Sequence, residues 1–177
     1  RQLAVVRDAD GFYATGDLGA FDTDGFLTLT GRDGDLIKTS TGRRIAPAAV
    51  EAALRSVPGI DQAVLMGNGR KLPIALCALT TPTTDHDMLA SLAERLTAAL
   101  APINERDRPA GLAFLQRPLS LETGELTPNL KLRRAAIEKL HEELLGRLDT
   151  RLARRDAVAP AEAPEPASGL TGPAGSR

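Results

Sequence analysis

The fold of the chain is decided by residues 60–80, which read IDQAVLMGNGRKLPIALCALT. Two apolar runs, residues 60–66 and 73–80, stand on either side of a Gly-Asn-Gly turn sequence. Short apolar runs bounded by turn residues are typical of buried strands. We therefore expect two neighbouring strands in the middle of a small sheet.

Helical patterns flank these strands. Pro47 begins a helix that runs to about Val57, because a proline at the first helical position loses no needed hydrogen bond. Residues 83–85 offer cap oxygens for a second helix, and residues 112–115 form another candidate strand. The residues that should face the core of the last two helices are Met88, Leu92, Leu96 and Leu100, then Ile137, Leu140, Leu144 and Leu148. These patterns predict a small α/β lobe with a central short sheet flanked by helices.

The two ends of the chain have a different character. Residues 22–25, DTDG, offer Asp-Gly turn chemistry between the apolar residues 18–21 and 26–29, which predicts a β-hairpin. Beyond Ala157 the chain consists mainly of Pro, Ala, Gly and Glu, which cannot bury enough apolar area to offset their ordering entropy. The predicted fold class is α+β, with a disordered carboxyl-terminal tail.

Composition excludes several functions. The 177 residues include 22 Lys and Arg against 23 Asp and Glu, so a net charge of -1 offers no basic field for nucleic acid or an anionic membrane. Aromatic residues make up 3%, with no Trp, which argues against a stacking platform for single-stranded nucleic acid. A hydrophobic content of 42% is enough for a buried core.

Cysteine and histidine give no sign of a metal site. Cys77 is the single cysteine, which excludes an internal disulfide, and its apolar surroundings favour a buried small hydrophobe over a nucleophile. His86 and His141 lack the spacing of a metal pair and are expected at the surface or at helix flanks. Without an apolar stretch of about 18 residues, we expect a cytoplasmic protein with no transmembrane segment. The non-Met start at Arg1 suggests a chain cut from something longer.

Three polar stretches, residues 13–17, 31–44 and 127–134, stand apart from the packing pattern. Each alone is explained by a turn, an exposed loop or a solvated basic helix start. Their joint order and spacing, however, carry a resemblance. The phrases that carry it are TGDLG at residues 15–19, DGFL at 24–27, GRDGDLI at 31–37, GRRIAP at 42–47 and GELTPNLKLRR at 124–134.

Residues 1 to about 148 resemble the carboxyl-terminal portion of the AMP-forming, adenylate-forming superfamily. This superfamily includes acyl-CoA synthetases, firefly luciferase and the adenylation domains of peptide synthetases. The long-chain fatty-acyl-CoA synthetases are most similar, because most other members place Gly where this chain has Leu130. The resemblance implies that a fatty acid reacts with MgATP to give an acyl-adenylate, from which the thiol of CoA then displaces AMP.

The resemblance also implies roles for individual residues in the nucleotide site. Asp17 would accept hydrogen bonds from both ribose hydroxyls, since a carboxylate has only acceptor capacity. Arg32 would donate to the ribose or to phosphate oxygens through its planar fork. Tyr13, Thr15 and Gly16 would line the nucleotide pocket.

Lys131 is the expected catalytic residue. A mobile ammonium group near both anionic reactants would offset their repulsion and stabilise charge at the α-phosphoryl group. Lys38 corresponds to a luciferase-branch lysine of the second half-reaction, although a solvated lysine at a strand end explains it as well.

The resemblance further predicts a moving lobe. Gly34 occupies a hinge position where the family usually has Asp or Lys, and glycine would loosen the torsional preference between the two orientations. After rotation, residues 40–44 would face the pantetheine channel, with Gly42 allowing close approach and Arg43 and Arg44 available to CoA phosphates.

The predicted organisation leaves the active site incomplete. Residues 1–33 would be the end of the large adenylation lobe, residues 34–150 the mobile carboxyl-terminal lobe, and residues 151–177 the tail. We find no phosphate loop and no acyl-binding sequence, which lie upstream in the family. The large lobe is therefore an expected partner, in the same longer chain or in another.

Two alternatives belong to other functional classes. A non-catalytic lobe could dock on a partner synthetase or carrier protein, but docking alone needs none of Asp17, Arg32 and Lys131. A nucleic-acid-binding helix using Arg133, Arg134 and Lys139 is disfavoured by the acidic residues Glu138, Glu142 and Glu143.

Overall fold

The computed structural model describes residues 9–154. The strands are β1 (Asp17–Phe21), β2 (Leu27–Arg32), β3 (Ile37–Lys38), β4 (Arg44–Ile45), β5 (Ile60–Met66), β6 (Ile74–Leu79) and β7 (Gly111–Leu115). The helices are α1 (Pro47–Arg55), α2 (His86–Ala99), α3 (Arg134–Leu140) and α4 (Glu142–Ala153), with 3-10 turns at Asp33–Asp35 and Glu105–Asp107. The predicted α+β class is confirmed. The tail expected beyond Ala157 lies outside the described residues, and α4 continues past the expected boundary at residue 150.

The central sheet has the order β5-β6-β7. β5 and β6 are neighbours, as predicted, and the structure shows that they run antiparallel, with Met66 opposite Ile74; β7 pairs with β6 in parallel. Every residue of β6 is buried, because helices cover both faces of the sheet. α1 and α2 pack on one face, whereas α3 and α4 pack on the other.

The capping of α2 confirms the sequence prediction, but its buried face differs from it. Asp85 caps the helix by accepting hydrogen bonds from the backbone N–H groups of Asp87 and Met88. Met88, expected in the core, is 52% exposed, and Leu89 is buried in its place. Residues spaced strictly four apart drift around a helix of 3.6 residues per turn. Met88, the first of the four predicted core residues, therefore lies outside the buried face.

The predicted last helix is in fact two helices. His141 interrupts it with non-helical φ and ψ of -113° and 22°, and α4 begins at the next residue. The break changes which residues face inward: Ile137 and Leu145 are fully buried, while Leu140 is 51% exposed. Within residues 9–154, no helix is long and apolar enough to cross a membrane.

The predicted hairpin forms from β1 and β2. Its turn places Gly25 at φ +85°, and the side chain of Asp22 accepts hydrogen bonds from the N–H groups of Asp24 and Phe26. The hairpin forms a separate two-stranded sheet whose apolar side chains are exposed, including Phe21, Leu27 and Leu29.

Candidate active site

A cleft of about 870 Å³ opens beside β5, an edge strand of the central sheet. Three segments line it: the end of β2 with the following 3-10 turn, α1, and the loop before α3. Its charged lining residues are Arg32, Asp35, Glu51, Arg55, Lys131 and Arg134. The four cations against two carboxylates favour an anionic ligand.

Lys131 directly follows the loop of a tight hairpin. Thr127 N–H donates to the Lys131 carbonyl at 2.9 Å, and Lys131 N–H donates to Thr127 Oγ1 at 3.0 Å. Leu126 and Leu132 form an antiparallel bridge next to this pair. We call residues 125–133 the lysine hairpin. The two hydrogen bonds to Thr127 fix the main chain at Lys131, while its side chain is exposed.

Leu130 completes the loop of the lysine hairpin in a left-handed conformation, with φ +56°. Among the residues that the structure describes, it is the only non-glycine with a positive φ. Three-residue hairpin loops commonly place a left-handed residue, usually glycine, at this position. The loop therefore holds a strained leucine next to the candidate catalytic lysine.

A buried ion pair anchors the carboxyl-terminal end of the lysine hairpin. Arg134 Nη2 donates to Glu51 Oε1 at 2.5 Å, and the same oxygen accepts from Leu65 N–H at 2.9 Å. Glu51 is buried, so Arg134 supplies the compensating charge that water would otherwise provide. The pair ties the start of α3 to α1 and β5 at the cleft. The neighbouring Arg133 donates to the Gly124 carbonyl. Neither Arg133 nor Arg134 is therefore a freely solvated cation.

One residue of a second ion pair, Arg32, lines the same cleft. Asp17 and Arg32 are opposite each other in the β1–β2 hairpin, and Arg32 Nε donates to Asp17 Oδ1 at 2.9 Å. Arg32 is largely exposed, and among residues 9–154 its bond to Asp17 occupies one of the two carboxylate oxygens. The structure thus brings Arg32 and Lys131 to one cleft, with Asp17 joined to it through Arg32.

The other expected nucleotide residues do not line the cleft. Thr15 Oγ1 accepts from Asp17 N–H at 3.1 Å, and the Gly16 carbonyl accepts from Asp33 N–H at 2.8 Å. These contacts hold the segment before β1 against the turn after β2. Tyr13 lies on the same segment and is exposed.

The expected CoA loop is separate from the cleft and rests on the turn before β6. Ser40 N–H donates to the Arg70 carbonyl, and Lys38 N–H donates to Asn68 Oδ1, each at 2.9 Å. Gly42 takes φ +81° at the tip, while Arg43 packs back and is half-buried. Arg44 is exposed and lies 3.7 Å from Asp33 Oδ1. None of Lys38, Gly42, Arg43 and Arg44 lines the cleft that contains Lys131, although Arg44 contacts the 3-10 turn beside it.

Gly34, the expected hinge residue, lies in the exposed 3-10 turn between the hairpin and β3. A Cβ atom at this position would meet no atom within 4 Å, and its φ lies outside the left-handed region. The turn therefore does not require glycine sterically.

Sequence reasoning missed Glu125. Its carboxylate is fully buried and accepts from Arg117 Nη1 at 2.5 Å, Thr123 Oγ1 at 2.5 Å and His141 Nε2 at 2.8 Å. Burial alone would raise the pKa of Glu125, but these hydrogen bonds and the charge of Arg117 outweigh it and lower the pKa to about 2. His141, expected at the surface or at a helix flank, lies at the junction of α3 and α4, and its largely buried ring reaches this carboxylate.

Two further points concern the reactivity of Cys77 and the binding of metal ions. Cys77 is fully buried, as expected, and burial raises the pKa of its thiol to about 12, which excludes a reactive thiolate near neutral pH. In the described part of the chain, no group of three or more His, Cys, Asp or Glu side chains could hold a metal ion.

The chain belongs to the family of AMP-binding enzyme C-terminal domains, whose model matches residues 34–144. This confirms the resemblance that the motifs carry. The chain is similar to the long-chain-fatty-acid–CoA ligase FadD15 of Mycobacterium tuberculosis, with 32% identity over 156 residues. That alignment covers 77% of this chain and 26% of the ligase, so the chain spans about a quarter of the length of this relative.

Two solved structures show the same fold. The A-PCP didomain of carboxylic acid reductase from Segniliparus rugosus, in complex with AMP, has a TM-score of 0.66 and 25% identity, over 86% of this chain and 22% of that one. The O-succinylbenzoate Coenzyme A synthetase MenE of Bacillus subtilis, also in complex with AMP, has a TM-score of 0.52 and 30% identity, over 75% and 24%. The fold is therefore that of the carboxyl-terminal domain of adenylate-forming enzymes.

Proposed function

We propose that the chain is the carboxyl-terminal part of an AMP-forming ligase that activates a fatty acid with MgATP and transfers the acyl group to CoA. The observation that carries the proposal is the cationic cleft lined by both Arg32 and Lys131. The similarity to a long-chain ligase supports a long acyl chain as the substrate. With ATP and CoA as cosubstrates, we also propose a cytoplasmic location.

In the first half-reaction, a carboxylate oxygen of the fatty acid attacks the α-phosphorus of ATP. The bond from this phosphorus to the bridging oxygen breaks, and pyrophosphate leaves. Both reactants are anionic, so the Lys131 ammonium group stabilises the charge that they share in the transition state. Asp17 orients the nucleotide by accepting from its ribose hydroxyls, and Arg32 does so by donating to ribose or phosphate oxygens. The described residues offer no metal site of their own, so Mg²⁺ would arrive on the ATP phosphates.

In the second half-reaction, the sulfur of CoA attacks the acyl carbonyl, its proton is lost to solvent, and AMP leaves. The loop with Lys38, Gly42, Arg43 and Arg44 would contact CoA in this step. Because none of these four residues lines the cleft that contains Lys131, a rotation at Gly34 would present the loop and Lys131 in turn to one reaction centre.

The exposed hairpin supports a missing large lobe as the partner. Phe21, Phe26, Leu27 and Leu29 are all at least 56% exposed. A large apolar patch on a two-stranded sheet is typical of an interaction surface. Residues 1–33 would then belong to that lobe, and residues 34–150 would be the mobile one, in agreement with the family match that begins at Gly34.

Replacement of Lys131 tests the proposed function. The full chain would replace the matching 26% of the M. tuberculosis ligase in a chimera, and the two half-reactions would be measured separately. We expect Lys131→Ala to lower carboxylate-dependent pyrophosphate exchange by roughly 10²-fold, the usual cost of removing one preorganised charge partner. Thioester formation from supplied acyl-adenylate should stay within about 2-fold, because Lys131 has left the site in that step.

Lys139→Ala is the matched control, since Lys139 is an exposed lysine on α3 that does not line the cleft. It should leave both half-reactions unchanged. Equal losses in both half-reactions for Lys131→Ala, or a folded chimera that makes no adenylate at all, would contradict the proposal.

A further inference from the structure

A single buried carboxylate next to the lysine hairpin accepts hydrogen bonds from four residues. The side chain of Glu125 accepts two hydrogen bonds from Arg117, which follows β7, and one from Thr123 in the intervening loop. It also accepts from the backbone N–H of Ser120 at 3.3 Å and from His141 at the junction of α3 and α4. With no exposed surface, the charge depends wholly on these donors.

The backbone of Glu125 transmits this anchoring towards Lys131. Arg133 N–H donates to the Glu125 carbonyl at 2.8 Å, which forms the base of the lysine hairpin. The next pair is the bridge between Leu126 and Leu132, and the one after it joins Thr127 to Lys131. Three successive pairings therefore lie between the fixed carboxylate and the backbone of Lys131.

We propose that Glu125 is a positioning residue for Lys131. Its carboxylate fixes the base of the lysine hairpin to the end of β7 and to the α3–α4 junction, so that the hairpin presents Lys131 at one place in the cleft. The catalytic consequence rests on the proposed function, whereas the anchoring itself does not. Residues that touch no substrate can still matter here, since a displacement of about 1 Å can cost roughly 10²-fold in rate.

The anchoring is tested in the full chain by amide hydrogen exchange. Glu125→Gln keeps the shape of the side chain but removes its charge, so the amides of Thr127 and Lys131 should exchange at least about 10-fold faster. Amides of β6, which exchange through global unfolding, should accelerate by the factor that the loss of unfolding free energy gives. Glu122→Gln, an exposed glutamate of the same loop, is the control and should change neither set. Acceleration in β6 without acceleration in the lysine hairpin would reduce Glu125 to a general contributor to stability and overturn the proposal.

The positioning role is tested in the chimera by the two half-reactions. Glu125→Gln should lower adenylation at least about 10-fold through kcat and leave thioester formation from supplied adenylate unchanged. Thr123→Val is a second variant that keeps the shape of Thr123 but removes one donor to Glu125. It should lower adenylation several-fold, whereas Thr123→Ser, which keeps the hydroxyl group, should restore it.

The two proposals fail in different ways. If Lys131→Ala lowers adenylation but neither Glu125→Gln nor Thr123→Val does, the positioning role is wrong and the proposed function stands. If Lys131→Ala has no effect, the proposed function fails, and the exchange experiment alone still decides whether Glu125 anchors the hairpin.

Discussion

At the scale of single residues, Glu125 couples the stability of the lobe to pH. The pKa of this carboxyl group is about 2 in the folded chain, against an ordinary value of 4.5. A lowered folded pKa gives stability that is fully present above the unfolded value and is lost as the pH falls from 4.5 towards 2. The shift corresponds to roughly 3 kcal/mol.

We therefore predict that the difference in unfolding free energy between the natural chain and Glu125→Gln shrinks as the pH falls through this range. Denaturant unfolding at several pH values between 5 and about 2.5 measures it. Glu122→Gln should show no comparable pH dependence, because its carboxyl group is exposed. A constant difference for Glu125→Gln would mean that the cluster does not hold an ionised carboxylate.

Leu130 combines a strained, left-handed backbone with a side chain that is 73% exposed. An L-residue in this conformation costs roughly 1–2 kcal/mol, whereas Asn tolerates it. We expect Leu130→Asn to raise the free energy of unfolding by about 0.5–1 kcal/mol and Leu130→Val to lower it. Leu121→Asn, at an exposed leucine without a positive φ, should give no gain.

At the scale of elements, two glycines in exposed turns should respond oppositely to alanine. A Cβ atom at either Gly34 or Gly42 would meet nothing within 4 Å, but only Gly42 has a left-handed φ. Gly34→Ala should raise the free energy of unfolding by about 0.4–1 kcal/mol, because alanine restricts the unfolded chain. Gly42→Ala should lower it by roughly 1 kcal/mol through backbone strain. Denaturant unfolding of both variants checks the pair, and equal signs would contradict the prediction.

The elements also show how far the sequence predicts this fold. The strands around residues 60–80 and the start of α1 follow from local patterns, because apolar runs and an initial proline act over a few residues. The break at His141 does not follow from such a pattern. Its ring reaches Glu125, a contact across 16 residues, and periodicity continues through the break as if the helix were whole.

The candidate site likewise contains residues that the sequence predicts and residues that it does not. The motif resemblance predicts that Asp17, Arg32 and Lys131 share a function, and the structure places Arg32 and Lys131 at one cleft. The supporting charges were not predicted. Glu51 and Arg134 are separated by 83 positions, and a glutamate in a polar turn such as Glu125 has no local sign of burial. The one available signal was Glu51 itself, an acidic residue on the apolar face of α1.

At the scale of the whole molecule, the chain combines a well-covered lobe with an uncovered hairpin. The central sheet carries helices on both faces, so that the lobe has cores on either side of β6. The β1–β2 hairpin has no such cover within the described residues, and Gly19 lets Leu27 and Leu29 lie flat across it. The exposure of such an apolar surface to water costs free energy, and a covering lobe would remove this cost.

The β1–β2 hairpin should tolerate polar substitutions in the chain alone but not in the chimera. In the chain alone, Phe21→Ser and Leu29→Ser should change the free energy of unfolding by less than about 0.5 kcal/mol, because both side chains already face water. In the chimera, the large lobe should bury them, so each replacement should cost roughly 1.5–3 kcal/mol and lower the melting temperature. Met88→Gln, at an exposed methionine on α2, is the control and should have the same small effect in both contexts. If the hairpin variants behave like this control in the chimera, no lobe covers the hairpin, and the proposed placement of residues 1–33 is wrong.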